Sequence, residues 1–213
     1  MQTRRILLAA IALALAAPAF ALAQTPAAAP APVAEAGVVR VALTTPEGVI
    51  VLQLEQGKAP ITVGNFLKYV DRKLYDGASF YRASTAPGGP KDYGLLQGGL
   101  QNDPKKVLPP IAHESTLKTG LSNTDGAIAM GRHAPGTAQA DWFICVGDQA
   151  YLDADPKDPK NPGFAAFGRV VEGMDVVKKI LAMPVDPNRG EGAMKGEMLV
   201  KPVRIVTARR VAP

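Results

Sequence analysis

The sequence has few of the residues that build disulfide frameworks or metal sites. It contains one cysteine in 213 residues, so an intramolecular disulfide is excluded and stability has to come from packing. Cys145 stands between Ile144 and Val146, a context that predicts a small buried apolar residue. The two histidines, His113 and His133, lack a cysteine partner and the spacing of a zinc motif. We therefore predict no metal.

The chain also lacks a strong charge of either sign. The formal net charge is +5, and the two arginines of the first 23 residues leave +3 for the rest. Basic residues are scattered, and the 6% of aromatic residues do not interleave with them, so no nucleic-acid partner is predicted.

Motifs for cofactors and hydrolytic chemistry are missing as well. Gly98-Gly99 has no following Lys-Ser or Lys-Thr, which excludes a phosphate-binding loop. The chain has no Gly-x-Ser-x-Gly elbow. The acidic segment 153–163 lacks the ligand spacing of a calcium loop. We predict no cofactor.

Long apolar runs are absent except at the start. Residues 1–23 have two arginines, an apolar stretch over 6–17 and a closing Ala-Leu-Ala, which together predict a signal peptide cleaved before Gln24. Two alternatives remain open: an uncleaved anchor, since the apolar run is nearly long enough to span, and a twin-arginine signal from Arg4-Arg5.

The rest of the chain divides into a tether and one domain. Residues 24–37 are rich in alanine and proline and cannot bury a core, whereas 38–213 have the size of a single domain. We expect a periplasmic or secreted protein with no stable membrane insertion after cleavage, and a monomer.

Hydropathy patterns in the domain are mainly those of strands. Alternation over 39–54 around a Pro-Glu-Gly turn predicts a hairpin, and a three-to-four spacing predicts a helix that opens at Pro60 and closes near Gly77. A second helix is predicted over 173–181 and a closing strand over 203–209. Short β-prone runs separated by turn residues occupy 79–82, 95–97, 127–130, 142–146 and 165–171. The predicted fold is mainly β, a closed antiparallel barrel of about eight strands with two packing helices.

Six segments occur in an order that resembles a known family. They are Phe80-Tyr81-Arg82, Leu95-Leu96-Gln97-Gly98-Gly99, residues 123–132, Trp142-Phe143-Ile144-Cys145, Tyr151-Leu152-Asp153 and residues 164–170. Together they resemble the cyclophilin family of peptidyl-prolyl cis/trans isomerases, closest in style to its exported bacterial branch. The resemblance covers nearly all of residues 39–210 and implies a cyclophilin-like fold.

The resemblance also implies a set of site residues. It makes Arg82 the catalytic arginine, accompanied by Phe80, and Gln97 the amide that orients the substrate. It assigns peptide binding to Leu95, Met130, Gly131, Asp141, Phe143, Leu152 and Phe164.

This chain departs from the family pattern in three places. Asp141 stands where the family usually has glutamine, so a contact to substrate is lost or Asp141 pairs with Arg82 or Arg132. Extra residues within 83–94 are expected to form a surface loop, and Tyr151 stands where many relatives have tryptophan.

The implied function is isomerisation of X-Pro bonds in exported proteins during folding, with proline-containing polypeptides as substrates. An arginine beside an apolar proline pocket would stabilise the twisted amide, in which a lone pair gathers on nitrogen. One alternative is a proline-peptide-binding chaperone module with little turnover. Another is a wall- or membrane-associated structural protein that uses the tether.

Overall fold

The computed structural model describes residues 37–85, 89–90 and 92–212. The predicted signal peptide, 1–23, and all of the predicted tether except Gly37 lie outside the described residues. The helices are α1 (Pro60–Asp71), α2 (Thr116–Thr119) and α3 (Met174–Leu181). The strands are β1 (Val38–Thr45), β2 (Gly48–Glu55), β3 (Ser79–Thr85), β4 (Gly94–Gly99), β5 (Ala127–Met130), β6 (Trp142–Val146), β7 (Ala166–Glu172), β8 (Val185–Asp186), β9 (Met198–Arg204) and β10 (Thr207–Val211).

The described strands form one ten-stranded antiparallel sheet. Its order is β10-β1-β2-β7-β5-β6-β4-β3-β9-β8. The fold is mainly β, as predicted, but the closed barrel is not confirmed because the two end strands, β10 and β8, do not pair with each other. The strand count is also higher than the predicted eight.

The closing strand predicted over 203–209 is divided in two. β9 pairs with β3, whereas β10 pairs with β1. Between them Ile205 donates its N–H to the carbonyl of Ala78 and Val206 donates to the carbonyl of Thr44, both at 2.8 Å. The chain therefore bends between β9, which pairs with β3, and β10, which pairs with β1. This covalent connection links two distant parts of the sheet whose end strands are not hydrogen-bonded to each other.

The two predicted helices are present, and α2 is an additional short helix. α1 ends at Asp71 and turns follow it, so it is shorter than the helix predicted to close near Gly77. Its start lacks a side-chain cap of its own. The buried carboxylate of Glu114 takes that part, accepting from the N–H groups of Ile61 at 3.2 Å and Thr62 at 2.7 Å.

Aromatic side chains fill the interior between the helices and the inner face of the sheet. The Phe66 ring centroid lies 5.1 Å from Tyr75, 5.5 Å from Phe167 and 6.0 Å from Trp142. These rings are fully buried, and their large apolar area makes them major contributors to stability. Within the described residues no helix is long and apolar enough to cross a membrane.

A second, smaller hydrophobic cluster lies apart from this interior. It consists of Ala127, Ala129, Phe143, Cys145 and Ala166, with Leu95, Leu121, Leu152 and Phe164 packed against it. Because side chains alternate between the faces of a strand, Phe143 and Cys145 point away from the side occupied by Trp142 and Ile144. We call this group the outer cluster.

Candidate functional site

One row of directly opposed residues crosses four strands on the outer face. Arg82 of β3 lies opposite Gln97 of β4, and Gln97 lies opposite Phe143 of β6. Phe143 in turn lies opposite Ala129 of β5. Opposed residues of an antiparallel pair share a face. The sheet register therefore brings a cation, an amide and an aromatic ring side by side.

A β-bulge at Tyr81 puts Arg82 on that face. Phe80 pairs with Gly98 and Arg82 pairs with Gln97, so two residues of β3 oppose one of β4. In a regular strand Phe80 and Arg82 would point to the same side. The bulge separates them.

Phe80 consequently belongs to the interior. Its side chain is fully buried and meets Trp142 edge to face, with 5.4 Å between centroids. A Cβ on Gly98 would come within 3.1 Å of both rings, so any side chain at this position would crowd them. Although the resemblance makes Phe80 a companion of the catalytic arginine, the structure places it behind the sheet from the outer cluster.

A chain of hydrogen bonds fixes the polar part of the row. Gln97 donates from Nε2 to the Tyr81 hydroxyl at 2.7 Å, and its Oε1 accepts from Arg82 Nη1 at 2.8 Å. These two partners determine the orientation of the amide. Burial is the main cause that raises the pKa of Tyr81, with the charge of Asp141 adding to it, so the hydroxyl stays protonated.

A carboxylate that the sequence analysis missed holds the other side of Arg82. Arg82 donates from Nε to Glu197 Oε2 at 2.7 Å, and Nη2 lies 2.6 Å from the same oxygen. The other oxygen of Glu197 accepts from Ser84 at 2.7 Å. Glu197 is 115 residues away in sequence, and only the pairing of β3 with β9 brings it near, so no sequence motif signals it.

The apolar part of the site consists of Leu95, Phe143, Leu152 and Phe164. The rings of Phe143 and Phe164 meet edge to face with centroids 5.4 Å apart. The carbonyl of Leu152 accepts from the N–H of Phe164 at 2.8 Å, which ties these two positions together. All four residues belong to the outer cluster.

The loop that carries Leu152 and Phe164 is fixed by a close approach and by a buried amide. Gly163 has a φ of +62°, and a Cβ there would lie 2.3 Å from the nitrogen of Ala154. Asn123 donates from Nδ2 to Asp153 at 2.7 Å and to the carbonyl of Phe164 at 3.3 Å. The carboxylate of Asp153 thus anchors the loop to the body of the protein.

A second arginine lies at the edge of the apolar part. The guanidinium carbon of Arg132 is 4.8 Å from the centroid of the Phe164 ring, and the side chain donates to the carbonyls of Gly163 and His133. Desolvation lowers the pKa of Arg132, but the group remains a cation at neutral pH.

The backbone groups of the segment 130–132 differ in whether they have hydrogen-bond partners. The N–H of Met130 donates to the carbonyl of Ala165 at 3.1 Å, and that of Gly131 donates to the carbonyl of Asp141 at 2.8 Å. The side chain of Met130 belongs to the interior. The backbone N–H and carbonyl of Arg132 have no backbone or side-chain partner in the described part of the chain.

Asp141 faces a turn. Its two carboxylate oxygens accept from the N–H groups of Gln101 at 2.8 Å and Asn102 at 3.0 Å. These two residues have φ values of +53° and +54°, a conformation that needs such support. Burial nevertheless raises the pKa of Asp141. The pairing of Asp141 with Arg82 or Arg132 is not present, because those arginines have the partners given above.

The row and the apolar cluster therefore bring together six of the ten residues that the resemblance assigns: Arg82, Gln97, Leu95, Phe143, Leu152 and Phe164. The other four, Phe80, Met130, Gly131 and Asp141, are buried behind the sheet or use the groups described above within the protein. A charged donor held beside an apolar surface can bind a peptide and polarise one of its amide groups.

Comparisons with known proteins identify the family of the chain. The sequence profile of the family described as "Cyclophilin type peptidyl-prolyl cis-trans isomerase/CLD" matches residues 39–210. The chain is 39% identical over 172 residues to peptidyl-prolyl cis-trans isomerase cyp18 of Streptomyces antibioticus, covering 79% of this chain and 96% of the relative. It is 39% identical over 143 residues to peptidyl-prolyl cis-trans isomerase A of Dickeya dadantii, covering 66% and 70% of the two chains.

A solved structure supports the fold. A cyclophilin type peptidyl-prolyl cis-trans isomerase of Cryptosporidium parvum, crystallised in the presence of the dipeptide Ala-Pro, superposes with a TM-score of 0.63. The match covers 82% of this chain and 99% of that chain, at 17% sequence identity.

Cys145 provides a test of the packing beneath the site. It is fully buried in the outer cluster opposite Leu95, and burial is the main cause that raises its pKa to about 12. At pH 8 the thiol therefore stays protonated and shielded. We expect alkylation by iodoacetamide to be at least about 100-fold slower in the native protein than in urea-unfolded protein. Equal rates at pH 8 would contradict this packing.

Proposed function

The chain belongs to the cyclophilin-type peptidyl-prolyl cis-trans isomerases and is an enzyme of that activity, and we propose that the row of Arg82, Gln97 and Phe143 is its catalytic centre. The observation that carries the proposal is the register across β3, β4 and β6, which places a fixed guanidinium next to an apolar surface on one face. The family identifies the reaction as cis/trans isomerisation of peptidyl-prolyl bonds, and the row contains side chains suited to that reaction.

The chemistry requires no proton transfer and no broken σ-bond. The barrier to rotation about a peptide bond, about 18–20 kcal/mol, comes from amide resonance. In the twisted transition state resonance is lost and a lone pair develops on the proline nitrogen. A catalyst must bind this state better than either planar isomer, and an N–H donor aimed at that nitrogen does so.

Arg82 is the group we assign to this donation. It is permanently charged, and Gln97 and Glu197 hold it in place before substrate arrives. Gln97 has a second role as the residue that orients both Arg82 and the peptide. Because a preorganised donor does not have to reorient during the reaction, its interaction strengthens as the amide twists.

The apolar residues Leu95, Phe143, Leu152 and Phe164 would receive the proline ring. Ala129 and Ala166 continue the cross-strand row beyond Phe143, and both are buried beneath the partly exposed residues of the cluster. Burial of the ring against these residues removes water that would compete for Arg82. The Cryptosporidium protein was crystallised in the presence of Ala-Pro, which supports a proline-containing ligand here.

The backbone of the peptide would pair with the segment after β5. The N–H and carbonyl of Arg132 are suited to this, because they have no backbone or side-chain partner within the described residues. Met130 and Gly131 hold this segment in place through their own backbone bonds. For Asp141 and Phe80 we propose indirect parts, in which Asp141 holds the turn at 101–102 and Phe80 supports β3 from behind.

Arg82→Ala tests the catalytic assignment. We expect the accelerated cis/trans exchange of an Ala-Pro peptide, measured by exchange NMR, to fall by about 100-fold or more, because the donor to the twisted amide is lost. Arg210→Ala is the matched control. Arg210 is also a strand arginine paired with a carboxylate, Asp71, but on β10, which does not adjoin β3.

Two results would separate the alternatives. Wild-type turnover in Arg82→Ala would contradict the assignment. A folded wild-type protein that binds the peptide without accelerating exchange would favour the proline-binding chaperone module, in which the apolar cluster is kept and turnover is small.

We further propose that the enzyme acts on exported proteins. The signal-like composition of residues 1–23 supports this. Proline isomerisation takes about 10–100 s unaided and can limit folding after export. We propose a monomer as the acting unit, since one chain supplies every group of the site.

Export can be tested by fractionating a bacterium that expresses the full chain. We expect the protein in the periplasmic or secreted fraction with Gln24 as its N-terminus, because signal peptidase accepts the Ala-Leu-Ala site. A Leu8→Arg variant should be retained uncleaved, since it breaks the apolar region. Replacing Arg4 and Arg5 by lysine distinguishes twin-arginine export. A chain that starts at Met1 in the cytoplasm would contradict the proposal.

A further inference from the structure

The carboxylate of Glu197 binds the guanidinium of Arg82 on the side opposite Gln97. A single oxygen of Glu197 contacts both Nε and Nη2 of the arginine, at 2.7 and 2.6 Å. Gln97 occupies one hydrogen of Nη1. The remaining contact in the described chain, from Nη2 to the carbonyl of Ala193, is long at 3.5 Å. The outer edge of the guanidinium, Nη1 and Nη2, thus keeps N–H groups for a substrate.

The pair differs from an ordinary surface salt bridge. The side chains of Arg82 and Glu197 are only 18% and 24% exposed, and Ser84 donates to the second oxygen of Glu197 at 2.7 Å. An exposed pair such as Arg210–Asp71, with 47% and 49% exposure, shares its charges with water and stabilises little. Glu197 is held by two partners, so it can act as a fixed point for the arginine.

The backbone around Glu197 is also fixed. Its carbonyl accepts from the N–H of Ala83 at 2.9 Å, within the strand that carries Arg82. In the preceding loop, Gly196 donates to the carbonyl of Arg189 at 2.8 Å, and Arg189 donates from Nη1 to the carbonyl of Leu199 at 3.2 Å. The loop between β8 and β9 is thereby folded onto the edge of the site.

We propose that Glu197 is the positioning residue of the isomerase centre, which selects the Nη edge of Arg82 as the donor to the peptide. The inference rests on the proposed role of Arg82. An arginine side chain loses rotamer entropy when it is held in one geometry. Because Glu197 and Gln97 fix it from both sides, that ordering is complete before the peptide binds, and the turnover step benefits more than peptide affinity.

The substitution Glu197→Gln separates the geometry of the contact from its charge. Its side-chain oxygen can accept from Nε and Nη2 as the carboxylate does, while its amide can donate to the Ser84 hydroxyl. Glu197→Ala removes both contacts. The backbone bond from Ala83 does not involve the side chain, so both variants keep the local strand pairing.

We expect Glu197→Ala to lower the turnover rate of an Ala-Pro peptide about tenfold with little change in KM, since a misplaced donor affects the transition state. Glu197→Gln should recover most of that rate, and Ser84→Ala should give an intermediate loss. Asp71→Ala, which removes the partner of a remote strand arginine, is the control and should match wild type. Exchange NMR at several peptide concentrations gives both parameters.

A second readout reports on positioning without activity. The Nε–H of Arg82 should appear in a ¹⁵N-edited NMR spectrum as a protected, downfield signal in wild type and Glu197→Gln, and should lose both properties in Glu197→Ala. In an Arg82→Ala background, adding Glu197→Ala should have no further effect on turnover.

Several outcomes would overturn the inference. They are unchanged turnover in Glu197→Ala, a Glu197→Gln variant as slow as Glu197→Ala, an unchanged Nε–H signal in Glu197→Ala, or a further loss of turnover when Glu197→Ala is added to Arg82→Ala. If Arg82→Ala itself keeps full turnover, the proposed catalytic role of Arg82 fails, and the Nε–H signal still decides whether Glu197 positions the side chain.

Discussion

The β-bulge at Tyr81 is the constraint on which the arrangement of the site depends. One extra residue in β3 changes the face of every residue that follows it in the strand. Phe80 before the bulge points to the aromatic interior, and Arg82 after it points to the outer face beside Gln97. The two residues of the bulge, Tyr81 and Arg82, lie opposite the single residue Gln97. The side-chain amide of Gln97 contacts Tyr81 on one side and Arg82 on the other.

Two separate hydrophobic groups lie on the two faces of the sheet, because side chains alternate along its strands. The interior cluster around Phe66 and Trp142 stabilises the fold, whereas the outer cluster around Phe143 stands next to polar residues that hold a charge. The side chains of Leu95, Leu152 and Phe164 in the outer cluster are only partly buried, so they are available to a ligand in a way that core residues are not. Under the proposed function, peptide binding and fold stability use opposite faces of the same strands. The neighbours Leu96 and Gln97 point to these different faces.

Much of this could be predicted from the sequence, and the remainder could not for physical reasons. The β1–β2 hairpin and α3 follow from hydropathy periods, and the family resemblance picks out Arg82, Gln97 and Phe143. Neither periodicity nor the family motif reveals a bulge, and the resemblance therefore groups Phe80 with Arg82. Glu197 escapes prediction because long-range strand pairing, rather than local spacing, brings it to the site. The resemblance assigns Asp141 to peptide binding. Its bonds to the turn at 101–102 could not be predicted, because that turn depends on two positive φ angles that no motif encodes.

The most direct test of this account is an NMR titration of the protein with an Ala-Pro peptide, observing side-chain signals on both faces of the sheet. The account predicts shifts at the Gln97 amide, the Arg82 guanidinium and the Phe143 ring. The indole N–H of Trp142, the one tryptophan in the chain, should stay nearly unchanged because it lies behind the sheet. A large change in the chemical shift of Trp142, with unchanged shifts at Arg82 and Gln97, would contradict the assignment of the outer face as the substrate site.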